Sequence, residues 1–233
     1  MNSGIDMFNV TLFCTKHGEA GNCNVIELYK IINALTPEII FEEIPPCIFD
    51  EYYKHMTSDK LESNAIKLYL SDHDIKQIPV DLDVIMSQSF WKNNRNMFEQ
   101  IERENYNFRK LCDYDDFYSR TYGFNYLNSV YCENIYINMY NEMEATIKNS
   151  NKKGFIDAFE EWNRINEERE NEMVSNIYNY CTENLFDKGL FMIGSAHRKS
   201  IINKIKIHTE KEKVRINWNY FEYDNNKVNI ITV

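Results

Sequence analysis

The sequence predicts an α/β fold: a central, mostly parallel sheet built from the N- and C-terminal regions, with a large α-helical bundle inserted between them. Three observations point to it. Short apolar runs rich in β-branched residues stand near both ends of the chain. The first two enclose a helical stretch, and strand, helix and strand together take about 35 residues, the size of a parallel βαβ unit. Residues 84–187 hold two glycines, Gly123 and Gly154, and no proline, so little there can interrupt helices. The expected organisation is one domain over 1–233, with a core of 8–83 and 188–233 and an insertion of about 84–187.

The elements follow in order. Val10-Thr11-Leu12-Phe13-Cys14 is an apolar run bounded by polar residues, as a buried strand is. Asn24 is placed to cap a helix whose apolar positions Val25, Leu28, Tyr29, Ile32 and Leu35 share one face, and Pro37 stops it. Ile39-Ile40-Phe41 reads as a second strand ended by Pro45-Pro46, and a second helix is expected around Asn64 to Leu70. Ile78 to Asp83 is expected as a third strand with Pro79 near its start. The middle region should be nearly all helix, broken near Asp113–Asp116 and at Asn149–Gly154. Its stripe of Tyr118, Tyr122, Tyr126, Tyr136 and Tyr140 is expected to pack helix on helix. Gly189 is expected to end the last long helix, and Leu190 to Ile193 form the next strand. A helix through Ile201, Ile202 and Ile205 follows. Two closing strands, Val214–Trp218 and Val228–Val233, are joined by a turn at Asp224-Asn225-Asn226.

Composition excludes several functions. With 26 Lys+Arg against 36 Asp+Glu the formal charge is −10, which argues against a nucleic-acid partner. No window is apolar enough to span a membrane, and the N-terminus lacks the pattern of a signal peptide, so a cytoplasmic location is expected. Six scattered cysteines without a CxxC pair suggest neither a zinc knuckle nor a redox pair, and read as reduced, mostly buried thiols. There is no GxxxxGK[ST] loop, no GxGxxG turn and no GxSxG elbow. His55, His73 and His208 fall in polar segments and receive no role.

Two places share one plan, a buried strand, a short turn ending in histidine, and a helix: Cys14-Thr15-Lys16-His17 and Gly194-Ser195-Ala196-His197. In an open parallel sheet such turns lie at the carboxyl ends of the strands, where ligands bind. The second strand ends Phe41-Glu42-Glu43. Period-2 alternation sets Glu43 on the face of Ile39 and Phe41, and Glu42 on the face of Ile40. Two histidines and a glutamate at neighbouring strand ends are ligand types for a divalent metal with positions open to water. Asp81 and Asp83 are candidates for a further oxygen. The plainer alternative is that Glu42 and Glu43 cap the following turn and form a salt bridge to a lysine.

These residues resemble the TraB/Tiki and erythromycin-esterase/ChaN-like superfamily. The likeness rests on Thr15-Lys16-His17, Pro37-Glu38-Ile39-Ile40-Phe41-Glu42-Glu43, Glu168-Arg169-Glu170-Asn171-Glu172-Met173 and Ile193-Gly194-Ser195-Ala196-His197. They are similar to that superfamily's GxxH turn, acid-ended second strand, ER-containing helix and second GxxH turn. Cys14 stands where the first turn has glycine, and no arginine follows Glu43. The resemblance implies an α/β fold with a helical insertion and a site where the two histidine turns meet, formed by His17, Glu43 with Glu42 as runner-up, Arg169 and His197. Members include metal-dependent proteases, macrolide esterases and a haem-binding protein.

The expected function is therefore hydrolysis of an ester or amide bond in a small-molecule or peptide substrate. A divalent metal held by His17, Glu43 and His197 would lower the pKa of a bound water, with Glu42 or Asp83 as proton acceptor. Without a metal, His17 oriented by Glu43 would be the general base. Arg169 or Arg198 would meet the oxyanion; Arg169 equally reads as a structural partner of the strand-end acids. The alternative class is a binding protein that holds a metal, haem or small ligand in the same cleft without turnover.

Overall fold

The computed structural model describes residues 7–53, 59–224 and 227–232. Val10 to Thr15 are buried at every position. A strand with no solvated face must lie inside a sheet that is covered on both sides. It does: β1 (Met7–Thr15) pairs in parallel with β4 (Lys188–Gly194) on one edge and β5 (Arg215–Asp224) on the other. Beyond β4 come β2 (Ile39–Glu42) and β3 (Lys76–Pro79), also parallel. Five strands are thus parallel, and β6 (Lys227–Thr232) adds an antiparallel edge to β5, giving the order β3-β2-β4-β1-β5-β6.

Helices cover both faces. On one, α1 (Val25–Leu35) and α3 (Leu61–Leu70), with the short α2 (Phe49–Tyr53) before α3 in the chain, bury Leu28, Ile32, Leu61 and Ile66 against Phe13, Ile40, Leu190 and Met192. On the other, α8 (Lys153–Glu183) and α9 (Arg198–Lys211) bury Met173, Ile177, Ile201 and Ile205 against Val10, Leu12, Phe41 and Phe191. Asn24 caps α1 as expected, its side chain accepting the Glu27 N–H at 3.0 Å. The chain leaves β1 through α1 toward β2 and leaves β4 through α9 toward β5. The two crossovers leave the adjacent strands β1 and β4 toward opposite faces, which makes the gap between them the switch point of the sheet.

The insertion is a bundle of α4 (Gln88–Glu104), α5 (Tyr106–Tyr122), the single turn α6 (Phe124–Leu127), α7 (Val130–Ser150) and the first half of α8, around Met97, Ile101, Phe108, Met139, Ile147 and Phe159. It is moored to the sheet by Asn128, whose side chain accepts from the Cys14 N–H at 2.8 Å and donates to the Cys14 carbonyl at 3.0 Å. Cys14 itself sits in ordinary strand backbone. Among the described residues no helix is long and apolar enough to cross a membrane.

Four expectations need correction. The third strand is Lys76–Pro79, not Ile78–Asp83; Asp81 and Asp83 lie in the loop that follows. Asp113–Asp116 remain helical, because Asp113 and Asp116 face outward and cost the helix nothing in burial; the breaks fall at Asn105 and Gly123 instead. Gly189 lies inside β4, and the long helix ends at Glu183. The first closing strand runs on to Asp224, while the turn residues Asn225 and Asn226 lie outside the described residues. The break expected at Asn149–Gly154 is present between Ser150 and Lys153.

Candidate functional site

The carboxyl ends of β2, β4 and β1 stand side by side, and each delivers one site residue. Glu43 is the first residue past β2. His197 closes a 3₁₀ turn, Ser195–His197, directly after β4. His17 comes two residues after β1. Glu43 falls on the face of Phe41, toward α8, as its alternation requires, and Glu42 falls on the opposite face.

Glu43 and His197 form a buried pair, with Nε2 3.5 Å from Oε1 and side chains 15% and 8% exposed for the histidine and the glutamate. The other Glu43 oxygen accepts the Gly194 N–H at 2.7 Å. Arg169 of α8 completes the arrangement: its Nη2 donates to Glu43 Oε1 at 2.7 Å and to Asp81 Oδ2 at 2.7 Å, and its Nε reaches both Asp81 oxygens at 3.1 Å. Arg169 thus pairs with the strand-end acids. Its Nη1 takes part in none of these bonds. On the far side of the ring, His197 Nδ1 bonds Glu170 Oε1 at 2.7 Å, and Glu170 in turn accepts from Ser200 Oγ at 2.5 Å.

The electrostatics follow from this packing. Burial alone would raise the Glu43 carboxyl, but the charge of His197, then Arg169 and the Gly194 N–H, with His17 contributing least, hold it down at about 2. Burial would likewise depress His197, yet Glu43 and the bond to Glu170 lift it above the ordinary imidazole value. Arg169 is raised despite its burial by Asp81 and Glu43. The cluster therefore sets Arg169 and His197 among three carboxyl groups, those of Glu43, Asp81 and Glu170.

His17 differs in kind. Its side chain is 56% exposed, and Nδ1 lies 3.1 Å from Glu62 Oε1. Thr15 Oγ donates to the same oxygen at 2.8 Å, and the His17 carbonyl accepts the Leu61 N–H at 3.1 Å, so the start of α3 is tied to the turn that carries the histidine. A carboxylate at Nδ1 fixes the ring tautomer and turns Nε2 outward. His17, Glu43, Asp81, Arg169 and His197 all line one cavity of about 500 Å³.

Of the remaining candidates, Glu42 lines a neighbouring narrow cavity with His17, Glu43 and Glu62, while Asp83 and Arg198 are turned to other partners. Glu42 is buried and accepts from the Tyr53 hydroxyl and, at 2.9 Å, from Gln77 Nε2; burial pushes it up to about 7 against those bonds. Asp83 is exposed and accepts the Cys47 N–H at 2.7 Å, so Asp81 is the carboxylate of this loop that reaches the cluster. Arg198 is buried in an ion pair with Glu133 of α7, turned away from an oxyanion role. Glu62 was not among the residues singled out by spacing: α3 begins at Leu61, and its N-cap position is Lys60, which makes no side-chain cap.

Part of the site has the dress of a metal centre, and the carboxylate beside His197 does not. Both histidines hold Nδ1 against a carboxylate, the support that metal-bound imidazoles carry. Glu43, however, has one oxygen on the Gly194 N–H and the other on Arg169 and His197. Among the described residues no group of three or more His, Cys, Asp or Glu is disposed to hold a metal ion. Compared with family models, curated proteins and solved structures, the chain gives no match.

Proposed function

We propose that the protein is a hydrolase of ester or amide bonds in which His17 is the general base. The observation that carries this is the pairing of His17 Nδ1 with Glu62 at 3.1 Å, in the same cavity as the cations of Arg169 and His197. Glu62 keeps the proton on Nδ1 and the lone pair on Nε2, where it can take a proton from water. The water oxygen adds to the substrate carbonyl carbon, and its proton passes to His17 Nε2. The carbonyl oxygen becomes an oxyanion, and Arg169, whose Nη1 makes none of the bonds to the acids, is the donor placed beside the cluster to stabilise it, with Lys60 a second cation lining the same cavity. Collapse breaks the C–O or C–N bond, and the proton returns from His17 to the leaving group.

Glu43 and Glu170 act as positioning residues, since they hold His197 charged and aimed from both sides. Asp81 does the same for Arg169. The carboxylate support on both imidazoles favours a second reading, in which a divalent ion between them assists the same hydrolysis. The test is a panel of aryl esters and peptide amides assayed with wild type and His17→Ala, together with elemental analysis of the purified protein. Turnover by wild type, loss of it in His17→Ala and insensitivity to chelators support the metal-free base. Stoichiometric metal whose removal abolishes turnover supports the second reading, and a Soret band without turnover supports a binding protein.

A further inference from the structure

The cavity at the site joins the charged cluster to a largely apolar wall, with Lys60 and Asn166 as further polar side chains on its lining. Away from the cluster its wall is built from the loop 80–87, α4 and α8, and the argument turns on Val84, Ile85, Phe90, Trp91, Trp162 and Ile165. Two of the chain's three tryptophans stand in it. The wall is firm on the bundle side, where Trp162 packs edge-on against Phe98 at 5.8 Å and stacks with Phe159 at 6.1 Å. Phe90, buried, props Trp91 from below at 5.2 Å.

The opposite rim is exposed. Val84, Ile85 and Trp91 are 47%, 72% and 58% accessible, three large apolar side chains grouped at the mouth of one cavity. Scattered exposed apolar residues are ordinary, but a group that rims a concave site marks where an apolar ligand is covered. The volume of about 500 Å³ falls within the ~300–1,000 Å³ of small-molecule sites. The cavity is also continuous with His17, Arg169 and His197, so a group seated there presents its carbonyl to the polar end.

Resting on the hydrolytic reading, we propose that the substrate is an ester or amide of a medium-length, uncharged acyl chain, with the chain seated between Trp91 and Trp162. Each methylene added to the acyl group leaves water for that wall and strengthens binding. The wall offers no reason to accept a short acetyl group well.

The test compares 4-nitrophenyl acetate with 4-nitrophenyl octanoate, and adds 2-decanone as a ketone with no bond to hydrolyse. Wild type should show kcat/KM for octanoate about tenfold or more above that for acetate, and Trp91→Ala and Ile85→Asp should remove that preference. Both positions are exposed, so these variants fold. Titration with 2-decanone should shift tryptophan emission to the blue in wild type and in His17→Ala, and by a smaller amount in Trp91→Phe, where Trp162 is the reporter left in the cavity. Equal turnover of the two esters with no response to 2-decanone overturns the proposal and leaves the hydrolytic reading standing. Binding of 2-decanone with turnover of neither ester overturns the hydrolytic reading and keeps the apolar seat.

Discussion

Glu43 and His197 face each other at 3.5 Å across the carboxyl ends of two adjacent parallel strands, and each is gripped from behind by a third residue. Arg169 holds the glutamate and Glu170 holds the imidazole. Both grips come from neighbouring residues of one helix, α8. One turn of that helix therefore supplies a partner to each member of the pair.

Arg169 carries the largest stability consequence. It is the partner of two acids whose side chains are 8% and 2% exposed. Removing one side of a buried ion pair leaves an uncompensated charge and costs about 3 kcal/mol or more. Arg169→Ala should lower stability to urea by that order. Arg169→Lys should recover only part of it, since an ammonium cannot reproduce the two-pronged contact with Asp81.

Glu42 makes stability depend on pH in a stated direction. Its carboxyl is raised from 4.5 to about 7 by burial, so the folded state binds the proton more tightly than the unfolded state. The stabilisation is complete below the ordinary value and is lost as pH rises through about 7. Glu42→Gln, which cannot ionise, should gain on wild type between pH 4 and pH 8, up to about 3 kcal/mol, in urea midpoints taken across that range. His197, also raised, adds a loss of the same sign that persists in this variant. Glu43, held at about 2, works oppositely: its contribution is present above the ordinary carboxylate range and disappears as pH falls through about 2.

Gly21 governs how the bundle meets the sheet. Its φ is +56°, and a Cβ there would stand 2.4 Å from the Arg120 carbonyl oxygen. The same segment docks through the Asn22 N–H on that carbonyl at 2.9 Å and Asn22 Nδ2 on the Thr121 carbonyl at 2.7 Å. Both the left-handed conformation and the contact penalise a side chain. Gly21→Ala should cost about 2 kcal/mol and appear as a lower urea midpoint.

The central strands were legible because each is buried on both faces, so Val10–Cys14 and Leu190–Ile193 read as continuous apolar runs. The third strand was misplaced for the converse reason. Lys76–Pro79 is at the sheet edge and only partly buried, so the apolar signal favoured the loop after it. The same logic divides the site. His17, Glu43 and His197 are placed by strand ends, which short motifs reveal. Glu62 reaches His17 over 45 positions, and Glu170 reaches His197 over 27, distances at which no local pattern reports a contact. Asp81 and Asp83 were indistinguishable by spacing, and only the turn of the loop sends one to Arg169 and the other to Cys47.

The role given to His17 predicts a loss confined to chemistry. Because its side chain is 56% exposed, His17→Ala should leave the free energy of unfolding in urea within about 0.5 kcal/mol of wild type, while turnover falls by about 10²–10⁴. Glu62→Gln should lower turnover less, by loosening the tautomer without removing the base.

The most direct measurement is the release of 4-nitrophenol from 4-nitrophenyl octanoate by His17→Gly, with and without added imidazole. An exposed base position can admit a free imidazole where the side chain stood. Turnover lost in the variant and restored in proportion to imidazole is the predicted result. A variant as active as wild type without imidazole would contradict the assignment of His17 as the base.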